Sequence, residues 1–237
     1  MSDGSLRTRI RAVLWDLDGT LTDSVHFVVD TANRVIEAHG GSALDFDRVG
    51  AMTGLPLAEI FRVAWPDLPD ETLRGYVHEY RDIYEREVIP TTRLYRGTRV
   101  TLRAFHDAGL RQATVTGKRA ADCERILRGL RIKDEIEVYL GGDSVTGHKP
   151  APDLVLLAAA RLSVAPAECV VVGDAPADID MARAAGAHSL QVTWGFSKTL
   201  LPGAERLART WPELRRAVFA LAGRDAAILR RRGPVRS

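Results

Sequence analysis

The chain has 237 residues, 46% of them hydrophobic and 27% charged, enough apolar material for one large domain or one domain carrying a small insertion. Its 33 basic and 31 acidic side chains leave a net charge of +2, so the balance calls for no nucleic-acid or membrane partner. The two cysteines, Cys123 and Cys169, stand far apart with no metal-ligand spacing, which argues against a disulfide framework or a thiolate zinc site and fits a reducing cytoplasm.

The opening MSDGSLRTRI has no apolar core followed by a cleavage site, and no later run approaches the ~18 apolar residues of a membrane span. A cytoplasmic location is the expectation. AVLW, residues 12–15, is a short apolar run ended by polar residues and Gly19, the pattern of a fully buried strand. From Ser24 to about Thr92 no strand pattern occurs. Val25, Val28, Val29, Ala32, Val35 and Ile36 share one helical stripe, ended by the glycines at 40 and 41. After PDLPD, a second long period carries Leu73, Val77, Tyr80, Ile83 and Tyr84, and the expected stop lies before Pro90.

Beyond that point strands and helices alternate. Helices are expected at 98–108, 119–129, 151–162 and 176–185, the first and last stopped by Gly109 and Gly186. Strands are expected at 112–116, 137–140, 169–173 and 189–194. Such alternation predicts an α/β fold with a doubly wound parallel sheet covered on both faces. The core would comprise residues 1–21 and 94–237, with 224–237 a flexible basic tail, and residues 22–93 would form an inserted helical domain. Hinges are expected near 21–24 and 91–97, with Gly97 able to absorb a backbone change.

In an open parallel sheet, ligands bind outside the carboxyl ends of the strands. Asp16 and Asp18 follow the first strand, Thr116 and Gly117 the second, Lys149 and Pro150 the third, and Asp174 and Asp178 the fourth. Singly these are ordinary residues: DLDG is a common turn, Thr116 a helix cap, Lys149 a solvated loop lysine and Asp178 a first-turn charge. Jointly they bring three or four carboxylates, one hydroxyl and one ammonium to one edge. Converging carboxylates repel unless a cation joins them, and hard oxygen donors without His or Cys select Mg²⁺. A metal beside a lysine is a receptor for phosphate. A carboxylate held against that phosphate can attack it, and a second carboxylate two residues on can exchange a proton with the departing alcohol and then with water.

DLDGTLTDS, VTGK (115–118), HKPAPD (148–153) and VVVGDAPADIDMARAAG (170–186) together resemble, in order and spacing, the four motifs of the haloacid dehalogenase superfamily. The resemblance spans about residues 10–196. It implies a Rossmann-like core with a helical cap, as in the subclass of phosphoglycolate phosphatases and beta-phosphoglucomutases. Carried over residue by residue, Asp16 is the nucleophile and Asp18 the general acid/base whose backbone carbonyl also ligates Mg²⁺. Thr116, with Gly117, holds a phosphoryl oxygen, Lys149 neutralises the nucleophile and the transferring group, Asp174 binds the metal directly, and Asp178 does so directly or through water.

Departures from relatives narrow the activity. Asp18 is present where the dehalogenases lack an acid, which argues against carbon–halogen cleavage. The segment after the first strand offers no cap lysine of the phosphonatase kind. Leu57 stands where beta-phosphoglucomutases carry an arginine, which disfavours a mutase. Ala175 replaces a common Ser or Thr, and Trp15 replaces a common Phe and is expected to pack in the core. The loop MTGLPL (52–57) corresponds to the family's specificity loop, in which Gly54 would let backbone approach the ligand. His26 is a candidate substrate contact or an ordinary cap histidine, and Phe61, Trp65, Tyr76, Tyr80 and Tyr84 are core residues by default, some of them candidates to line a pocket. The expected function is a Mg²⁺-dependent phosphatase acting as a monomer on a small organic phosphomonoester. The alternatives are a phosphomutase and a non-catalytic binding protein on the same scaffold.

Overall fold

The computed structural model describes residues 9–224 apart from 51 and 53. Strand β1 (Ala12–Trp15) is buried along its whole length, and its alternating side chains feed two separate cores. Val13 and Trp15 point into the larger core with α5 (Thr98–Asp107), α6 (Ala120–Gly129) and α9 (Trp211–Leu221). Ala12 and Leu14 point into the smaller one, against α7 (Asp153–Arg161) and α8 (Pro176–Ala184). A strand buried on both faces has no polar side to alternate with, which is why AVLW reads as a continuous apolar run.

β1 is flanked in parallel by β4 (Arg111–Val115) and β6 (Cys169–Gly173). β5 (Val138–Leu140) extends the sheet beyond β4, and β7 (His188–Val192) and β8 (Arg206–Ala208) extend it beyond β6, for the order β5-β4-β1-β6-β7-β8 with every pairing parallel. The chain winds outward from β1 first one way and then the other, so the carboxyl ends of β1, β4 and β6 border the switch point where a crevice opens. β8 and α9 lie beyond the alternation read from sequence. α9 begins at a Thr210 cap, whose hydroxyl accepts the Glu213 amide, and Pro212 stands in its first turn.

The chain leaves β1 through β2 (Thr22–Asp23) and returns through β3 (Arg93–Leu94). Between them lie α1 (Val25–Ala38), α2 (Phe46–Gly50), α3 (Leu57–Ala64) and α4 (Asp70–Thr91). All six residues of the expected α1 stripe are buried. α4 runs two residues further than expected, with Pro90 inside its last turn. There the missing N–H removes only one bond, to the Arg86 carbonyl, and the Thr92 amide still reaches the Val88 carbonyl at 2.8 Å.

The two crossings near the expected hinges are not loose. β2 and β3 pair antiparallel, Thr22 opposite Leu94 and Asp23 opposite Arg93. The Thr22 hydroxyl donates to the Leu17 carbonyl at 2.9 Å, and the Tyr95 amide to that of Leu21 at 3.2 Å. Gly97 caps α5 against Trp211, so close that a Cβ would lie 2.5 Å from the indole. Trp15 is fully buried, with its indole N–H donating to Gln112 at 3.0 Å. Of the expected tail only Arg224 falls within the described residues. No described helix is long and apolar enough to cross a membrane.

Candidate active site

The Asp16 amide still donates to the Val172 carbonyl at 2.9 Å, so the sheet ladder fixes the backbone from which the first carboxylate projects. At the next turn Gly19 adopts φ +79°, and a Cβ there would run into the Asp174 carboxylate. Only glycine lets the loop after β1 lie flat against the end of β6. That contact brings the sequence-distant acids together.

Lys149 lies at the centre. Its ammonium donates to Asp16 Oδ1 at 2.7 Å and to Asp178 Oδ1 at 2.6 Å, and all three side chains are buried. Burial opposes the ammonium, but the two carboxylates outweigh it and hold the lysine protonated. Asp178 stands in the first turn of α8, and its Oδ2 accepts the Ala175 amide at 3.1 Å. Asp174 accepts the Thr20 hydroxyl on Oδ1 at 3.1 Å and the Phe196 amide on Oδ2 at 2.6 Å.

Asp16, Asp174 and Asp178 offer carboxylate oxygens within 4.8 Å of one another, all buried. Burial raises Asp16 to about 7, with Lys149 opposing the rise and Asp178 and Asp18 adding to it. Asp174 is pushed well above the usual carboxylate range, again by burial first and then by Asp16 and Asp178. Asp18 pairs instead with Lys118, Nζ to Oδ2 at 2.7 Å, and accepts the Ser24 hydroxyl. Among the described residues, Asp16, Asp18, Asp174 and Asp178 thus share two ammonium groups, those of Lys118 and Lys149. The formal deficit of two positive charges and the hard oxygen donors fit a divalent cation held by Asp16, Asp174 and Asp178.

Thr116 is buried just past β4, and its hydroxyl accepts the Lys118 amide at 3.4 Å. Gly117 lies against the Gly54 carbonyl so closely that a Cβ at Gly117 would overlap it. The chain at Gly54 therefore touches the sheet edge, and Gly54 itself lies near Lys149. A cavity of about 280 Å³ opens here, bounded by Asp18, Lys118 and Lys149 on the sheet side and by Leu57, Val77, Tyr80 and Tyr84 on the helical side. The structure brings Asp16, Asp18, Thr116, Gly117, Lys149, Asp174, Asp178 and Gly54 to this one place. His26 is elsewhere: it is exposed, stacks on Phe46 with ring centres 4.4 Å apart, and does not line the cavity. Of the five cap aromatics, Tyr80 and Tyr84 line the cavity, whereas Phe61 is fully buried, and Trp65 and Tyr76 pack on each other at 5.2 Å.

Sequence reasoning passed over Lys118, which both pairs with Asp18 and lies 4.3 Å from the centre of the Tyr84 ring. Its signal was its place in VTGK, directly after the strand end. Thr20 and Ser24, which hold Asp174 and Asp18, were legible only as the small polar residues of GTLTDS. The Phe196 loop had no signal at all, because its contribution is a backbone amide.

Residues 13–192 match the family described as haloacid dehalogenase-like hydrolase. A curated phosphoglycolate phosphatase of Xylella fastidiosa is 34% identical over 186 residues, covering 78% of this chain and 81% of that protein. The N-acetylmuramic acid 6-phosphate phosphatase of Pseudomonas aeruginosa is 30% identical over 191 residues, covering 80% and 84% respectively. The crystal structure of a beta-phosphoglucomutase from Clostridium difficile superposes with a TM-score of 0.78 over 90% of this chain and 97% of that one, at 18% identity, a likeness of fold alone.

Proposed function

The chain belongs to the haloacid dehalogenase-like hydrolase family and is a phosphoric monoester hydrolase, and on that premise we propose that it is a Mg²⁺-dependent phosphatase working through an aspartyl-phosphate on Asp16. The observation that carries this reading is the contact of Asp16 with Lys149 at 2.7 Å, beside the Asp174–Asp178 pair and at the floor of a cavity. Asp16, Asp174 and Asp178, with the backbone carbonyl of Asp18, would hold Mg²⁺, which when bound supplies charge neutralisation to the phosphoryl oxygens.

An Asp16 carboxylate oxygen attacks phosphorus as the bond from phosphorus to the alcohol oxygen breaks, and the Asp18 carboxyl gives its proton to that oxygen. Water then attacks the aspartyl-phosphate, Asp18 takes back a proton, and inorganic phosphate leaves with Asp16 restored. Lys149 offsets negative charge on Asp16 and on the transferring group, while the Thr116 hydroxyl and Gly117 backbone hold phosphoryl oxygens. The Lys118–Asp18 pair keeps the proton-transfer carboxyl oriented. Gly54 brings the specificity loop to the phosphate end of the cavity.

The helices between β2 and β3 act as a cap domain over the sheet core and shelter the intermediate from bulk water. Leu57 on the cavity wall supports hydrolysis over mutase chemistry, since at that position an apolar side chain stands where an arginine would hold a second phosphate. A cytoplasmic location fits the two buried free cysteines. The test is phosphate release from a generic aryl phosphate by the purified chain. Mg²⁺ should stimulate it and a chelator should abolish it; full activity in excess chelator would sink the metal-dependent reading.

A further inference from the structure

We propose that the substrate is the phosphomonoester of an apolar, ring-bearing alcohol rather than of a polyhydroxylated sugar or a small hydroxy acid. This substrate class presupposes the phosphatase reading above. The helical wall of the cavity carries the case. On α4, Val77, Tyr80 and Tyr84 fall at i, i+3 and i+7, one stripe that faces the reaction centre, and Leu57 and Ile60 of α3 continue it. The Tyr80 and Tyr84 rings stack offset on each other, 5.8 Å apart at 15°, and add aromatic carbon to this stripe, with Lys118 lying 4.3 Å from the Tyr84 ring centre.

The polar side chains of the opposite wall are already engaged within the protein. Lys118 holds Asp18 at 2.7 Å, Arg119 holds Asp122 at 2.7 Å and Glu85 at 2.5 Å, and Asp143 accepts the Ala120 amide at 2.8 Å. The Tyr84 hydroxyl is buried and has no hydrogen-bond partner among the described residues, so it can meet a single polar atom of a substrate but not a run of hydroxyls. Among the described residues lining the cavity none is Ser, Thr, Asn or Gln. A sugar entering here would surrender the water around each hydroxyl and find few partners in exchange, a penalty that grows with every hydroxyl. An apolar ring loses no hydrogen bonds and gains from leaving water.

Size and charge agree. The volume of about 280 Å³ is roomier than a phosphate with a two-carbon acid needs. Arg81 and His148, the other basic groups on the lining, are exposed, so a carboxylate reaching them would be screened by solvent and salt.

The experiment compares kcat/KM for phosphates of primary alcohols of similar basicity, so that intrinsic reactivity is matched. Phenylethyl phosphate and hexyl phosphate represent the apolar class; glycerol phosphate, glucose phosphate and phosphoglycolate represent the others. Phenylethyl phosphate should exceed glycerol phosphate by about tenfold or more. In Val77→Thr, which puts a hydroxyl in the same outline, that ratio should fall roughly threefold or more. Equal or faster turnover of phosphoglycolate or glucose phosphate overturns the substrate class while leaving the phosphatase reading intact. An unchanged ratio in Val77→Thr overturns it too, since the wall would then not face the leaving group. Failure to release phosphate from any ester, aryl phosphates included, overturns both readings together.

Discussion

At the carboxyl edge of the sheet, Lys149 holds Asp16 and Asp178, Lys118 holds Asp18, and Asp174 is held by Thr20 and the Phe196 amide, all at hydrogen-bonding distance. Across the cavity, α1, α3 and α4 present Val28, Leu57, Ile60, Val77 and Tyr80, with the exposed Arg81 the charged residue of that wall among the described residues. The first region is built from strand ends, whose backbones are fixed by ladder bonds, and its side chains constrain one another further. The second is built from helices joined to the core by a two-residue ribbon and a few contacts, among them the Glu85–Arg119 pair and the Lys118–Tyr84 stacking. The difference divides labour. Chemistry demands fixed charge in a dry place, and selection demands a wall whose composition can change without disturbing that charge.

Substitutions that respect or breach this division should differ in kind. Asp16→Asn should cut phosphate release from an aryl phosphate by more than about a thousandfold with the fold retained, read by a turnover assay beside circular dichroism. Comparable turnover in that variant would remove Asp16 from the chemistry. Lys149→Met should strike both activity and stability, because it leaves Asp16 and Asp178 buried without their countercharge. Urea unfolding of the metal-free protein should show a loss of about 3–5 kcal/mol.

Smaller effects probe the junction between the regions. Phe196 donates its amide to Asp174 while its ring packs against α2, where a Cβ on Gly50 would lie 2.5 Å from it. Gly50→Ala should push that loop and weaken Mg²⁺ binding by up to about tenfold, measured by titration calorimetry on the free protein. Unaltered metal affinity would uncouple α2 from the metal ligand. Glu85→Ala removes a half-exposed partner of Arg119 while leaving the Arg119–Asp122 pair in place, and denaturant unfolding should change by less than about 1 kcal/mol.

Legibility in the sequence followed the same line. β1 and β6 coincide with the apolar runs AVLW and CVVVG, because a strand buried on both faces leaves an uninterrupted apolar signature. The α1 stripe was equally plain. Pro90 misled, since its meaning depends on whether the helix ends within one turn of it. The β2–β3 ribbon was hidden because two residues carry no period, and β8 because three do not suffice. Asp16, Asp18, Asp174 and Asp178 were legible because they follow the buried runs within five residues, and Lys149 because it ends the connection after β5. His26 was ambiguous for the opposite reason, since position on a helix does not say which neighbour its ring will meet; Phe46, twenty residues on, settled that.

By itself the sequence determined the order of strands and helices, the charged residues at each strand end, and so the class of chemistry, because these depend on local period and on chemical type. Only the tertiary structure decided which charge neutralises which. Lys149 bridges Asp16 and Asp178, and Lys118 takes Asp18, because the packing of loops against Gly19 and Gly117 sets distances that spacing along the chain does not encode. The apolar character of the facing wall was decided there as well, since it arises when residues of three helices, each unremarkable alone, are brought around one cavity.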